Sequence, residues 1–397
     1  MGNNFWTLVQ FELKKLIKRK VTWISFGVVF GVMLVMGLYR LVITDEVDGV
    51  RITVQEAEMQ QKAEIKKVSG RLVDDALIEE LLAVMGTEQF TPYQNLYSNV
   101  VIELCGSLAG APSVAQVKEA LGVAPEEDLL VAARRRKLEE NMEVMYLTEG
   151  EKTYWRNVLE EEEQPWTYDY HKGVWYAWVA VNTAIILIAL MSAVSLANLF
   201  AEEHQKKTDQ LVLCSRNGKK VLYGAKITAG ILFNMVSTGL VLAATALPQL
   251  ILFGADGLRA PIQLLLPGSM CSMNFGEMLL YVYGTAMLAS LLYASITMCC
   301  SELFRNNTVA VLALVVVLVM APMMVVIPYE YRVLSQIFEL NPVSVLRIWG
   351  TNELRLIPFF GGYFTMQEVA PVMYAVFAGF FLWLGSRAYL RYQVSGR

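Results

Sequence analysis

Residues 173–201 read GVWYAWVAVNTAIILIALMSAVSLANLFA, a run of 29 residues without Asp, Glu, Lys, Arg or His. A helix of roughly 20 apolar residues is long enough to cross the hydrocarbon core of a bilayer. Five more uncharged runs occur along the chain, and Pro248 is expected to end or kink one of them. Together they predict an all-α polytopic membrane protein with six transmembrane helices, at residues 21–39, 173–201, 227–255, 278–301, 306–329 and 369–386.

The composition of the whole chain favours the same class of protein. Of the 397 residues, 55% are hydrophobic and only 18% are charged. The 33 Lys and Arg against 37 Asp and Glu give a net charge of −4, which argues against a nucleic-acid partner because such proteins carry a basic surplus. Two histidines, and five cysteines without C-x-x-C spacing, argue against a metal site, a redox pair or a structural disulfide.

The basic residues are concentrated on one side of the predicted spans. Five of them lie between positions 14 and 20, and the positive-inside rule places that side in the cytoplasm. With six crossings, fifteen Lys and Arg fall inside and four fall in the two short outside loops. Both termini and the loop 202–226 are therefore predicted to be cytoplasmic.

The segment 1–20, before the first span, has a helical periodicity of its own. We expect a cytoplasmic interfacial helix on the inner leaflet, with a frayed tail as the alternative. The first span, assigned to 21–43, is long for the apolar region of a signal peptide and is interpreted as an uncleaved anchor. The apolar residues that recur at three- and four-residue steps are Phe5, Leu8, Val9, Leu13 and Leu16.

Between the first two spans, residues 44–172 carry 13 Lys and Arg against 26 Asp and Glu, a local charge of −13. Apolar residues recur there at helical steps and alternating strand patterns are missing, so a helical extracytoplasmic domain is predicted. Thr148 and Glu151 have the capping-box spacing, and the aromatic residues of 166–178 are expected to form a belt at the outer interface. The helices are expected at 50–85, 93–105, 113–121, 127–146 and 148–163.

The sequence lacks the residues that ion coupling, nucleotide binding and nucleophilic catalysis would require. The spans contain no ionisable side chain that would couple transport to protons or sodium ions. Their few polar residues, Asn182 and Asn234 among them, are interpreted as helix-packing contacts. A phosphate-binding loop at Gly218-Lys219 would need glycine at position 213, which is leucine, and no G-x-S-x-G elbow occurs. Uphill transport would therefore draw its energy from a partner chain, and this chain is expected to hold no catalytic residue, metal or cofactor.

The loop 202–226 follows an ordered pattern that a merely basic loop would not need. Here the chain resembles the permease subunits of the ABC-2 type, also called type V ABC transporters, in which a pattern close to F-x-E-E-x-x-x-G-T-x-(D/E)-x-L-L-x-(S/T) extends from the second span. Lys207 replaces the usual glycine, and residues 216–218 replace a proline-containing turn. The matching residues are Phe200, Glu202, Glu203, Thr208, Asp209, Leu211, Leu213, Ser215, Leu222, Gly224 and Lys226.

In that family the element between the second and third spans is a coupling helix, seated in a groove of the ATP-hydrolysing subunit. The resemblance therefore implies that 202–226 contacts an ATP-binding cassette ATPase, which would hold the ATP and magnesium. A solvated positive-inside loop is the plain alternative. The residues expected to couple this chain to the ATPase are Glu202, Glu203, Lys206, Lys207, Thr208, Asp209, Leu211, Ser215 and Arg216.

The resemblance extends over almost the whole chain. It implies transmembrane helices 3 to 6 with a cytoplasmic tail in 227–397, a re-entrant segment near 342–366, and a second permease subunit of the same or a related chain. The apolar stretch 356–364 is too short to cross a bilayer and is broken by Pro358 and by the Gly361-Gly362 pair, as a re-entrant turn would be. An ordinary apolar loop is the alternative.

These features predict the transmembrane subunit of an ATP-driven exporter in a bacterial plasma membrane. Its cargo would be hydrophobic or amphipathic, such as a peptide, a drug or a lipid. The main alternative is a membrane-anchored sensor or assembly factor whose acidic outer domain binds a ligand. An intramembrane enzyme would need a catalytic constellation that the sequence does not supply.

Overall fold

The structure, a computed structural model, describes residues 2–47, 50–108, 113–161, 165–205, 218–304 and 327–391, together with positions 308, 311 and 315. Most of these residues are helical. The first elements are α1 (Gly2–Ile17), α2 (Lys20–Leu38), β1 (Thr44–Val47), β2 (Val50–Thr53), α3 (Val54–Ile65), α4 (Asp75–Val84), α5 (Gln94–Leu96), α6 (Ile102–Cys105), α7 (Val114–Leu121), α8 (Leu129–Val144) and α9 (Glu149–Glu161). They are followed by α10 (Lys172–Leu196), α11 (Asn198–Gln205), α12 (Gly218–Phe253), α13 (Phe275–Phe304), α14 (Arg332–Glu339), α15 (Pro342–Val345), β3 (Ile357–Phe359), β4 (Gly362–Phe364) and α16 (Met366–Arg391).

Five of the described helices are long and apolar enough to cross a membrane, namely Lys20–Leu41, Lys172–Ala201, Lys220–Phe253, Phe275–Phe304 and Met366–Arg391. They coincide with the first four predicted spans and the sixth. The fifth, predicted at 306–329, falls largely outside the described residues. Pro248 lies inside α12 and does not end it, since the helix continues to Phe253.

The bundle is organised around α10, which packs against α2, α12 and α13, while α16 packs against α13. A polar network links three of these helices. Asn234 of α12 accepts a hydrogen bond from Ser192 of α10 at 2.6 Å and donates to the hydroxyl of Ser290 of α13 at 2.5 Å. The interpretation of Asn234 as a helix-packing contact is therefore confirmed.

The long helices share two ends. At one, here called the basal end, Arg19 donates to the carbonyl of Asn198, just beyond α10, at 3.3 Å. At the other, the distal end, Arg40 beyond α2 donates to Gln249 of α12 at 3.4 Å. Helices α2 and α12 therefore run from the basal to the distal end, and α10 runs in the opposite direction.

Helices α13 and α16 run parallel to each other. Near the distal end Tyr281 of α13 and Pro371 of α16 line the same cavity. Near the basal end Gly385 of α16 lies against the Cα of Cys299 of α13. Both helices therefore begin at the distal end and finish at the basal end.

The insertion between α2 and α10 is bonded to the distal loops of the bundle. Arg134 of α8 is buried and donates to the carbonyl oxygens of Pro267 and Ser269, each at 2.9 Å. Trp155 of α9 donates its indole N–H to the carbonyl of Leu354 at 2.6 Å. These contacts join the insertion to the distal loops.

Capping side chains determine where several helices of the insertion begin. Thr53 and Glu56 form a capping box at the start of α3. The capping box predicted for Thr148 and Glu151 is confirmed, because each side chain accepts a hydrogen bond from the other residue's amide, at 3.4 and 2.9 Å. Helices α7, α8 and α9 lie within the segments predicted for them.

The prediction of a wholly helical insertion was wrong at residues 50–85. Strand β2 takes the first four of these residues and pairs antiparallel with β1, with Thr44 opposite Thr53. Helix α3 then ends at Ile65 and α4 begins at Asp75, so the stretch is not continuous helix. A second hairpin, β3 and β4, lies before α16, so the fold is not strictly all-α.

The prediction of an interfacial aromatic belt at 166–178 was wrong for four of its six aromatic residues; Trp175 and Tyr176 are half-buried. Trp166, Tyr168, Tyr170 and Trp178 are buried inside the protein. The reason lies in the backbone: the amide of Tyr168 donates to the carbonyl of Arg71 at 2.8 Å, which holds this segment against the loop between α3 and α4. The rings therefore form part of the core, where burial of their large apolar area is stabilising.

Candidate functional site

Two of the predicted coupling residues lie on a described helix at the basal end, and the other seven fall outside the described residues. Glu202 and Glu203 lie on α11, which extends from Asn198 to Gln205. The others, Lys206, Lys207, Thr208, Asp209, Leu211, Ser215 and Arg216, lie between the end of α11 and the start of α12, outside the part of the chain that the structure describes. The described surroundings on both sides of this stretch form the candidate site.

The junction between α10 and α11 is fixed by Ser301 of α13. Its hydroxyl donates to the carbonyl of Ala197 at 2.5 Å and accepts from the amides of Phe200 and Ala201 at 3.3 and 3.1 Å. The first amides of a helix have no partner within it. A side chain from a neighbouring span therefore caps the first turn of α11.

Lys226 of α12 joins the two sides of the stretch directly. Its side chain is fully buried, and Nζ donates to the carbonyl of Leu199 in α11 at 3.0 Å. The same nitrogen lies 5.3 Å from the ring centroid of Phe200, within cation–π range. The two described helices that flank residues 206–217 in the sequence, α11 and α12, are thus held together by a buried ammonium group.

Helix α1 supplies the opposite charge. Oε2 of Glu12 lies 3.8 Å from Nζ of Lys226, and the Glu12 side chain is only 4% exposed. Val9 and Leu16, one turn on either side of Glu12, are also buried, and Val9 packs with Ala225 of α12. The predicted amphipathic helix is thus present, and its buried face packs against the bundle.

An aromatic cluster extends the site to α16. Tyr223 of α12 donates its hydroxyl to the carbonyl of Leu382 at 2.8 Å. Its ring centroid lies 5.5 Å from that of Phe200 and 5.3 Å from that of Tyr389. Buried aromatic pairs of this kind hold helices in one relative position. The basal ends of all the described long helices therefore lie at or near the first turn of α11.

The distal end contains a second buried charge. Glu151 of α9 accepts from Arg332 of α14 and from the amide of Leu356 at 2.7 Å. Burial raises the pKa of this carboxyl, but the hydrogen bonds from Arg332, Thr148 and Leu356 outweigh it and hold the pKa below its usual range. Glu151 thus remains ionised and ties the insertion to the segment before α16.

His171 lies at the start of α10, and its side chain is buried. Burial lowers its pKa to about 4, so the ring is neutral at pH 7. Nδ1 lies 3.0 Å from the carbonyl oxygen of Asp169, and the ring stacks on Phe275 at 4.7 Å. Among the described residues, no group of three His, Cys, Asp or Glu side chains is arranged to hold a metal ion.

A family model described as ABC-2 family transporter protein matches residues 147–387, more than half of the chain. The chain belongs to the ABC-2 transporter family. The matched region covers α10 to α13 and most of α16, and so includes every part of the basal site except α1 and the end of α16. Searches of curated proteins and of solved structures found no match.

Membership of the ABC-2 family gives the basal site a context. Proteins of this family are membrane components of ABC transporters, and the family implies association with an ATP-binding subunit. The chain is therefore a transporter permease, and the resemblance inferred from 200–226 is confirmed at the level of the family. The family also suggests that the chain has no catalytic activity of its own.

Two residues of the basal site were missed from the sequence. Glu12 had a signal: it lies three residues after Val9 and four before Leu16, so it falls on the apolar face of an otherwise basic amphipathic helix. No sequence signal marks Ser301, because a serine at the end of an apolar run is common and does not indicate a capping role. Its role depends on α13 lying against the start of α11.

Proposed function

We propose that this chain is the permease subunit of an ATP-driven exporter, energised by a separate ATP-binding cassette ATPase that binds at residues 202–226. Two hydrogen bonds carry the proposal, in a chain of the ABC-2 family. Ser301 holds the start of α11, and Lys226 in the first turns of α12 holds α11 and α12 together, on either side of residues 206–217 in the sequence. Because both flanking helices are held in place, a force from a docked partner would displace the spans and would not be lost in local movement of the loop.

The mechanical route follows from the contacts already described. A displacement of α11 acts on α13 through Ser301, on α12 through Lys226, and on α1 through Glu12. Packed helices respond to such a displacement by discrete shifts rather than by continuous bending. ATP binding and hydrolysis on the partner would thus rock the spans between two arrangements and open a path outward.

We assign the basal end to the cytoplasmic side of a bacterial plasma membrane. The excess of basic residues in the segments at this end supports the assignment, with fifteen Lys and Arg there against four in the two short loops of the other end. Helices α13 and α16 run in the same direction, so the chain has to cross the membrane once more between them. This supports the predicted fifth span at 306–329. Both termini would then be cytoplasmic and the insertion extracytoplasmic.

The proposed cargo is hydrophobic or amphipathic, such as a peptide, a drug or a lipid, because the described spans are predominantly apolar in composition. A second permease subunit would pack beside the first. Helix α16 is a suitable surface for it, since Val372, Val376 and Trp383 are all more than half exposed.

The hairpin of β3 and β4 is proposed as the re-entrant element of the outer leaflet. Phe359 and Phe360 at its tip are 60% and 96% exposed. Phe360 and Gly361 both have positive φ, of 46° and 82°, as in the tight turn of a two-residue hairpin loop. Exposed aromatic side chains on a hydrogen-bonded turn are suited to shallow insertion into lipid.

Two experiments test the proposed function. The purified chain alone should hydrolyse ATP at no more than background rate. Substantial hydrolysis would refute the proposal that a separate ATPase subunit supplies the energy. Asp209→Lys should reduce copurification of the ATPase while the chain still inserts into membranes. Asp45→Lys makes the same charge reversal at the distal end and should leave the complex intact; unchanged copurification with Asp209→Lys would remove Asp209 from the coupling site.

A further inference from the structure

An apolar groove lies at the basal end between α1, α2 and α12. Its volume is about 350 Å³. The one hydroxyl in its lining, that of Ser237, donates to the carbonyl of Phe233 at 2.8 Å and so offers the groove no free donor. The side chains that shape it are Leu13, Ile17, Trp23, Phe26, Leu232 and Val236.

The groove opens outward from the bundle. Trp23 is 55% exposed and Val236 is 62% exposed, although both are large apolar side chains. In a membrane protein such a surface faces lipid tails. The indole N–H of Trp23 donates to the carbonyl of Ile17 at 2.6 Å, which fixes the corner between α1 and α2 and keeps the groove open.

A basic rim adjoins the groove along α1. A second cavity, about 340 Å³, is lined by Phe11, Lys14, Lys15, Lys18 and Arg19. Lys15 lies 3.8 Å from Glu12, and Arg19 donates to the carbonyl of Asn198. Lys14 and Lys18 are exposed, and neither forms an ion pair with any residue that the structure describes.

The sequence of α1 places the two features side by side. Lys14 and Lys18 are four residues apart, and each directly follows a residue that lines the groove, Leu13 or Ile17. Consecutive helical residues point about 100° apart, so the basic face adjoins the groove along one flank of α1. An anionic headgroup at the lysines and an acyl chain in the groove would therefore belong to the same molecule. A free phosphate would match only the rim, and a neutral lipid only the groove.

We propose that the groove between α1, α2 and α12 binds an acyl chain of an anionic phospholipid whose headgroup lies against Lys14 and Lys18. The site holds α1 at the membrane surface beside Glu12 and Lys226, so the lipid braces the base of α11 and α12. This inference depends on the membrane location of the family and on the contacts of α1, not on the proposed ATPase contact or on the cargo.

The test uses the purified full chain in detergent, titrated with dioleoyl phosphatidylglycerol and examined by native mass spectrometry. Dioleoyl phosphatidylcholine tests the need for charge, and glycerol phosphate tests the need for the acyl chain. One phosphatidylglycerol should remain bound under conditions that remove the other two ligands. Equal retention of phosphatidylcholine, or binding of glycerol phosphate as tight as that of the lipid, would overturn the proposal.

Variants locate the site. Lys14→Gln and Lys18→Gln should each weaken phosphatidylglycerol binding by about fivefold, the effect of one basic residue near an anionic surface. Lys220→Gln removes an exposed charge at the same end and should have no effect. Val236→Trp fills the groove and should release the lipid, whereas Leu280→Trp changes a residue on another lipid-facing surface and should not.

All of the substituted side chains are exposed or line an open groove, so the variants should fold, which a gel-filtration profile checks. If Lys14→Gln, Lys18→Gln and Val236→Trp all retain phosphatidylglycerol as the unaltered chain does, the site does not exist. If Leu280→Trp releases the lipid as fully as Val236→Trp, binding is non-specific and the proposal is equally wrong.

Discussion

Nζ of Lys226 lies 3.8 Å from Oε2 of Glu12, with the lysine side chain fully buried and the glutamate side chain 4% exposed. The pair joins the N-terminal helix α1 to α12, immediately beside the stretch expected to contact an ATPase. Buried charges are costly unless they are compensated. Either residue alone would destabilise this part of the bundle, so the two act as a unit.

Lys226→Met should lower the free energy of unfolding by about 3–5 kcal/mol, because it removes the buried charge beside the Glu12 carboxylate and leaves only the partly exposed Lys15, also at 3.8 Å. The double variant Glu12→Met with Lys226→Met should lose much less, since two apolar side chains of similar length replace the pair. Thermal or denaturant unfolding in detergent measures both. A cost of the double variant equal to the sum of the costs of Lys226→Met and Glu12→Met would show that the two charges are not coupled.

Ser301→Ala should cost about 1–3 kcal/mol, because the buried amides of Phe200 and Ala201 lose their acceptor. Ser295→Ala is the matched control: that serine is equally buried, but its hydroxyl donates only to the carbonyl of Leu291 within the same helix, at 2.7 Å. Hydrogen exchange of α11 amides gives a local measurement. Faster exchange in both variants, or in neither, would contradict the capping role.

Gly173→Ala should destabilise the chain by about 1–3 kcal/mol. A Cβ at this position would meet the backbone carbonyl of Gly254, which cannot move aside as a flexible side chain would. Gly31→Ala in α2 has open space around it and should stabilise its helix by about 0.5–1 kcal/mol. The melting temperatures of the two variants should move in opposite directions; a shift in the same direction would refute this close approach of α10 to the end of α12.

His171 predicts an acid-dependent loss of stability. Its folded-state pKa is depressed to about 4, so between pH 6.5 and 4 the unfolded chain binds a proton that the folded chain does not. Stability from this group is fully present above pH 6.5 and falls by roughly 3 kcal/mol across the window. His171→Phe keeps an aromatic ring against Phe275 but cannot titrate. Its unfolding free energy should change less between pH 7 and 4.5; parallel curves would contradict the assignment.

The spans were predictable because membrane insertion imposes length and charge rules that act on each segment separately. The run 173–201 alone predicted α10 and its continuation into α11. Contacts between segments are not local in this way. The burial of Trp166 and Tyr168 depends on pairing with residues near Arg71, and no periodicity around the aromatic residues announces that pairing.

The hairpins illustrate a different reason for failure. The Asp48-Gly49 dipeptide between β1 and β2 is a known turn signal, but four-residue strands are too short to show a convincing alternation. At the basal site, Lys226 was found through the motif, and Glu12 was visible only as an acid on an apolar helix face. The partner of each charge became clear only from the packing of α1 on α12.

Site-specific crosslinking in living cells that express the full transport system tests directly whether residues 202–226 contact the ATPase. A photoreactive benzoylphenylalanine in place of Leu211 should yield an adduct with an ATP-binding cassette ATPase, identified by mass spectrometry. The same group in place of Phe360, at the distal hairpin, should yield none. An ATPase adduct from Phe360, or none from Leu211 while the ATPase still copurifies with the chain, would contradict coupling through residues 202–226.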